Sequence, residues 1–105
     1  LSKDSLDLIE KEIYQLIKSI SVDLKLEKKI DEKQFETLLH HLDTYKYLIR
    51  DQNVLCRSFA GKIFYLFSTM VLQAKYVRYD ERLMDLIFQL RSSLLCVFDE
   101  SQFDT

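Results

Sequence analysis

The residues able to do chemistry are few and scattered. His40 and His41 are the only histidines. Glu36 and His40 stand four apart, which on a helix sets a carboxylate and an imidazole on one outward face at the spacing of two metal ligands. No third ligand accompanies them, whereas a structural zinc site takes four. Cys56 and Cys96 form no CxxC, and neither has a histidine at ligand spacing. No Ser-His-Asp arrangement can be assembled. Gly61 is the single glycine, so there is no glycine-rich loop to cradle a phosphate. Ser58 and Ser68 beside it read as small residues that permit close helix contact. The many Asp and Glu are those of solvated helix faces. The expectation is a chain with no catalytic residue, no metal and no cofactor: not an enzyme, but a protein that works by contact.

The elements that carry these residues are helical. The chain has 105 residues, no proline and one glycine, with 48% hydrophobic and 30% charged residues. That is one domain's worth of ordinary soluble composition with nothing to break helices except Asp, Asn and Ser turns. The organising stretch is Asn53 to Tyr76, NVLCRSFAGKIFYLFSTMVLQAKY. On a 3.6-residue helix, Leu55, Cys56, Phe59, Ala60, Ile63, Phe67, Met70, Val71 and Ala74 share one broad face, with Phe64 and Leu66 at its margins. A stripe so wide needs neighbours on two sides, which makes this the central helix of a bundle. Before it, Leu6, Ile9, Ile13, Leu16, Ile17, Ile20 and Leu24 predict a helix over about 5–25, and VDLKLEKKI reads as its fraying end and a link. Asp31 as N-cap, Gln34 three residues on, and an Ile30–Phe35 staple start a second helix over 32–50, whose stripe is Phe35, Leu38, Leu39, Leu42, Tyr45 and Ile49. Asn53 is the expected cap of the third, 54–77. Asp80 caps a fourth, 81–98, with Leu83, Leu86, Ile87, Leu90, Leu94 and Val97 inward. Residues 99–105 are expected as a frayed acidic tail. Short links make successive helices antiparallel. The predicted fold is all-α, an antiparallel up-down four-helix bundle filling residues 1–105.

Charge and cysteine usage narrow the partners. The net charge of −2, with both signs interspersed, speaks against nucleic acid, whose binders gather basic excess on one face. Cys56, on the expected buried stripe, and Cys96, opposite the apolar face of its helix, read as free thiols of a reducing compartment. The opening LSKDSLD is not a basic-then-apolar leader, and the longest uncharged run, Ile63 to Ala74, is too short to span a bilayer. The expectation is a cytoplasmic protein. Two features fit a binding surface: Ser58, Tyr65, Thr69, Leu72 and Tyr76 roughly opposite the buried stripe of the third helix, and Met84, Phe88 and Leu95 as a second stripe on the fourth. Lys75, Arg78 and Arg82 bracket the turn between these helices, a basic knob suited to anionic headgroups.

The segment NVLCRSFAGKIFY, through Asn53, Leu55, Arg57, Ala60, Lys62, Ile63 and Tyr65, resembles the N-x-L-x-R-x-x-A-x-K-I pattern that opens the third helix in immunity proteins of pediocin-like (class IIa) bacteriocins, the enterocin A immunity family. LDTYKYLIRDQN before it and KYVRYDERLMDLIFQL after it fall where that family has them, so the resemblance covers roughly residues 30–98. Many relatives carry a proline before the arginine; here that position is Cys56. The resemblance implies an antiparallel four-helix bundle of a Gram-positive producer, acting without catalysis from the cytoplasmic side. The partner it implies is the membrane permease of the mannose phosphotransferase system with bacteriocin bound, with peripheral membrane contact. Specificity lies in the C-terminal half, which carried onto this chain nominates Arg78, Tyr79, Arg82, Phe88 and Phe103. The alternative reading, from the residues alone, is a small helical regulatory or protein-interaction module, dimerising through its apolar stripes, phage-derived or DNA-associated.

Overall fold

Local cap chemistry sets the starts of two helices. The computed structural model describes residues 2–98, with side-chain environments from residue 4. Its helices are α1 (Ser2–Glu27), α2 (Glu32–Leu48), α3 (Arg57–Ala74) and α4 (Glu81–Val97), with a single 3-10 turn, Lys75–Val77, after α3. Asp31 Oδ1 accepts from the backbone N–H groups of Lys33 at 3.0 Å and Gln34 at 3.3 Å. Asp80 Oδ2 accepts from the N–H of Leu83 at 3.0 Å. Both satisfy donors that a helix start leaves orphaned. The reciprocal half of the expected capping box is not made, because Gln34 Oε1 instead accepts from Ser19 Oγ on α1 at 3.1 Å. The stretch after Val22 stays helical through Glu27 and ends with Lys28 in the left-handed region at φ 60°. There the N–H of Lys28 reaches the carbonyl of Leu24 at 2.9 Å.

Polar contacts between helices give the chain directions. Glu10, Glu12 and Ser19 of α1 meet Tyr45, His41 and Gln34 of α2, so these two run antiparallel. Tyr14, Lys25 and Lys28 meet Lys62, Tyr65 and Gln73, so α1 and α3 run parallel. Successive helices therefore alternate in sense, as expected for the four-helix bundle. Around the bundle the order is α1, α2, α4, α3: α1 packs on α2 and α3, and α4 packs on the same two. The link Ile49–Cys56 thus crosses the end of the bundle diagonally. Eight residues reach up to roughly 26–29 Å when extended, ample for that span.

The core collects Ile13, Ile17, Ile20 and Leu24 from α1, Phe35, Leu38, Leu42 and Tyr45 from α2 with Ile49 just after it, and the whole expected stripe of α4. Tyr45 sits where three helices meet. Its ring stacks on Phe59 with centroids 4.2 Å apart, and its hydroxyl donates to Glu10 Oε2 at 2.9 Å. A buried phenol needs such a partner, and this one ties α2 to both α1 and α3.

The third helix departs from the expectation in start and in rotation. It begins at Arg57, not at 54. Asn53 lies four residues before this start, and Cys56 stands at the N-cap with no side-chain hydrogen bond to the helix start. Cys56 is exposed, not part of a buried stripe, because the link is still extended there. The inward face is Phe59, Ile63, Leu66, Met70 and Ala74. Leu66, expected at a margin, is fully buried, and Thr69, expected outward, is buried too. Val71, expected inward, is 45% exposed, and Phe67 is only half-buried. The helix is turned toward α1 relative to the sequence reading. Its apolar residues run nearly all the way round, so packing between α1 and α4 chose the face.

Candidate partner-binding surfaces

The turn from α3 to α4 is built from unusual backbone. Arg78 and Tyr79 are consecutive non-glycine residues in the left-handed region, at φ 54° and 57°. Each such residue costs about 1 kcal/mol or more. The turn is held by the N–H of Tyr79 on the carbonyl of Ala74 at 2.8 Å and the N–H of Asp80 on that of Val77 at 3.1 Å. Both side chains are exposed at one end of the bundle. No carboxylate among the described residues pairs with Arg78.

Arg82 is committed differently. Its guanidinium grips Glu32 of α2, with Nε donating to Oε2 at 2.8 Å and a second donor on Oε1, and it also reaches Asp85 at 3.3 Å. Hydrogen bonding and the positive charge of Arg82 hold the Glu32 carboxyl below its ordinary range. This fork clamps the starts of α2 and α4 together, so Arg82 brings little free charge to the basic knob. Phe88 is exposed on α4. Six residues beyond Arg82, it points about 120° away around the helix. The structure thus places Arg78 and Tyr79 together, Arg82 on the α2 side and Phe88 on the outer side. Phe103 lies outside the described residues. Met84 and Leu95 of the second stripe are half-buried beside the core.

A larger feature was only partly foreseen. The outer side of α3 exposes Phe64 and Leu72 at 68% each, with Tyr65, Val71 and Tyr76 around them. Lysines at the end of α1 and just beyond it lie along one margin. Lys25 Nζ donates to Tyr65 Oη at 2.6 Å and holds that phenol below its ordinary range, and Lys28 sits 5.1 Å over the Tyr76 ring. Sequence periodicity named Tyr65, Leu72 and Tyr76 for this surface but assigned Val71 to the core.

Glu36 and His40 are exposed, and His41 pairs with Glu12 at 3.4 Å. Tyr14 packs near Ser58 and Cys56 with Lys62 4.6 Å over its ring. Burial, and next the Glu10 charge, pushes its phenol up to about 12. Two clefts lie at the bundle ends. One of about 600 Å³ is bounded by the α2–α3 link and the end of α4, with Arg50, Val54, Leu55 and Cys96 on its walls. A smaller one, about 270 Å³, lies beside the Glu32–Arg82 clamp. Neither draws a wall from α3, and the first could not be foreseen because a diagonal link creates it. Among the described residues, no helix is long and apolar enough to cross a membrane.

Compared with protein-family models, with curated proteins and with solved structures, the chain matches none of them.

Proposed function

We propose that this chain is a bacteriocin immunity protein of the pediocin-like type. It protects the cell that makes it by binding, without catalysis, at the cytoplasmic side of a membrane receptor engaged by bacteriocin. The observation that carries the reading is the NVLCRSFAGKIFY segment, whose resemblance implies a bundle of four helices with alternating senses. The fold has that architecture, and the patterned segment leads into α3. The exposed turn at Arg78 and Tyr79 and the exposed Phe88 lie in the half where the resemblance puts specificity. The receptor is the permease of the mannose phosphotransferase system. Contact is the whole mechanism: no bond is made or broken, and affinity comes from exposed aromatic and cationic side chains.

The test is protection. The chain is expressed inside a sensitive Gram-positive strain, which is then challenged with a panel of class IIa bacteriocins. Survival against at least one of them is expected. Unchanged killing across the panel refutes the reading. Arg78→Ala and Tyr79→Ala, which remove exposed side chains only, should narrow or abolish protection while leaving the circular dichroism spectrum unchanged.

A further inference from the structure

We propose that the outer face of α3 is a docking surface for an anionic lipid bilayer. The first ground is charge. From Asn53 to Tyr79 the chain carries Arg57, Lys62, Lys75 and Arg78 and not one Asp or Glu. The chain as a whole is acidic, at net −2, so α3 is a local cationic element in an anionic protein. The second ground is what lies between those cations. Phe64, Val71 and Leu72 stand exposed in the middle of the helix, and Tyr65, Tyr76 and Tyr79 lie along it and beyond its end. An apolar centre with cations at both ends and phenols at the margin is the composition of helices that lie in the headgroup layer.

Shape selects the bilayer over other occupants. A partner helix is taken into a groove, and the two clefts described above lie at the bundle ends, with no α3 residue in either. The α3 face is the outer side of a single helix, which a plane can meet along its whole length. A second copy of the chain is disfavoured by charge. Symmetric antiparallel pairing of two α3 faces would set Arg57 against Lys75 and Arg78 of the other copy, and parallel pairing would set each cation on its twin. The surface potential of an anionic leaflet has the opposite effect, drawing Arg57, Lys75 and Arg78 the same way, while Lys62 is held over Tyr14 at the α1 side. With α3 on the bilayer, the exposed turn at Arg78 and Tyr79 sits at membrane level. The inference does not depend on the immunity reading, since lipid binding by the pure protein is measured without any bacteriocin.

The experiment is flotation of the purified 105-residue chain with vesicles of phosphatidylglycerol and, separately, of phosphatidylcholine, at low and high salt. Binding to the anionic vesicles only, weakened by salt, is expected. Arg57→Gln, Lys75→Gln and Arg78→Gln should each lower the partition coefficient about fivefold. The double variant Phe64→Ser with Leu72→Ser, at two exposed positions, should keep the wild-type circular dichroism spectrum and lose binding. Several results overturn the inference: equal binding to both vesicle types, no binding to the anionic ones, or full binding by the double variant. It also falls if light scattering shows a dimer that the double variant dissolves, or if an acidic amphipathic peptide binds the α3 face while the anionic vesicles do not.

Discussion

Replacing Gly61 by alanine should make this protein more stable, and the structure says by how much. Gly61 is the fifth residue of α3, inside the helix and on its exposed side. In such a position glycine is about 0.8–1.0 kcal/mol less favourable than alanine, because it surrenders more backbone freedom on folding. Packing neither adds nor subtracts, since a Cβ built there meets nothing within 4 Å. The expected gain is therefore the propensity difference itself. For a domain of this size it corresponds to a rise in Tm of roughly 3–8 °C. The assay is thermal and urea unfolding followed by helical circular dichroism, with the urea slope unchanged so that the shift reports stability alone. Arg78→Gly supplies the mirror control. Glycine is introduced there at a left-handed position, where it relieves strain, and roughly 0.5–1 kcal/mol should be gained. The two sites lie about 25 Å apart along the chain's helical path, so their effects should add. A destabilised or unchanged Gly61→Ala protein would refute the reasoning, because it would mean that α3 is not a regular helix at that point.

Three further outcomes are expected. Leu66→Ala should cost about 2–5 kcal/mol and Val71→Ser within about 0.5, the reverse of the order that sequence periodicity implies; urea midpoints of the two variants decide it. In acid, the Glu32–Arg82 clamp fails. The Glu32 carboxyl titrates below its ordinary value of 4.5 in the folded chain, so its contribution is present above that pH and is lost as pH falls through the lowered value. Arg82→Gln should flatten the part of the stability–pH curve below about pH 4.5, and an acid limb identical to wild type would remove the clamp from the account. In alkali, Tyr14 and Tyr45 are both raised above their ordinary 10.0, Tyr14 to about 12, by burial first and, for Tyr45, next by its bond to Glu10. Their contribution is full below pH 10 and is lost as pH climbs through the raised values, so ultraviolet titration should show late-ionising phenols, one fewer in Tyr14→Phe.

What could be read in advance follows from where the deciding physics was local. Asp31 and Asp80 cap helices through their own side chains and the next few backbone N–H groups, so both starts are legible. The α4 stripe is legible because Asp85, Gln89, Ser92 and Cys96 lie on the opposite side, which sets the longer inward row apart from the short second stripe of Met84, Phe88 and Leu95. The α3 rotation is not, because Phe64, Val71 and Leu72 are as apolar as Leu66 and Met70. Which of them goes inward is decided by the neighbours, above all by the stack of Tyr45 on Phe59. The placement of α3 beside α1 is equally hidden, since a link of eight residues reaches either an adjacent or a diagonal position. For the candidate surface, Arg78 and Tyr79 are exposed in a turn whose polar sequence makes that legible, whereas the engagement of Arg82 with Glu32 depends on residues fifty positions apart.

The diagonal link has an architectural corollary. The chain is two hairpins laid face to face, α1 with α2 and α3 with α4, and the segment from Ile49 to Cys56 is the single covalent tie between them. Because the faces hold each other through buried side chains, the tie serves mainly to keep the halves at high mutual concentration. Doubling its length would forfeit only about 0.6 kcal/mol of closure entropy. Cutting it would leave two fragments with complementary greasy sides, a natural split pair. Tightening it too far would push the second hairpin onto a neighbouring molecule, giving an exchanged dimer with the same interior.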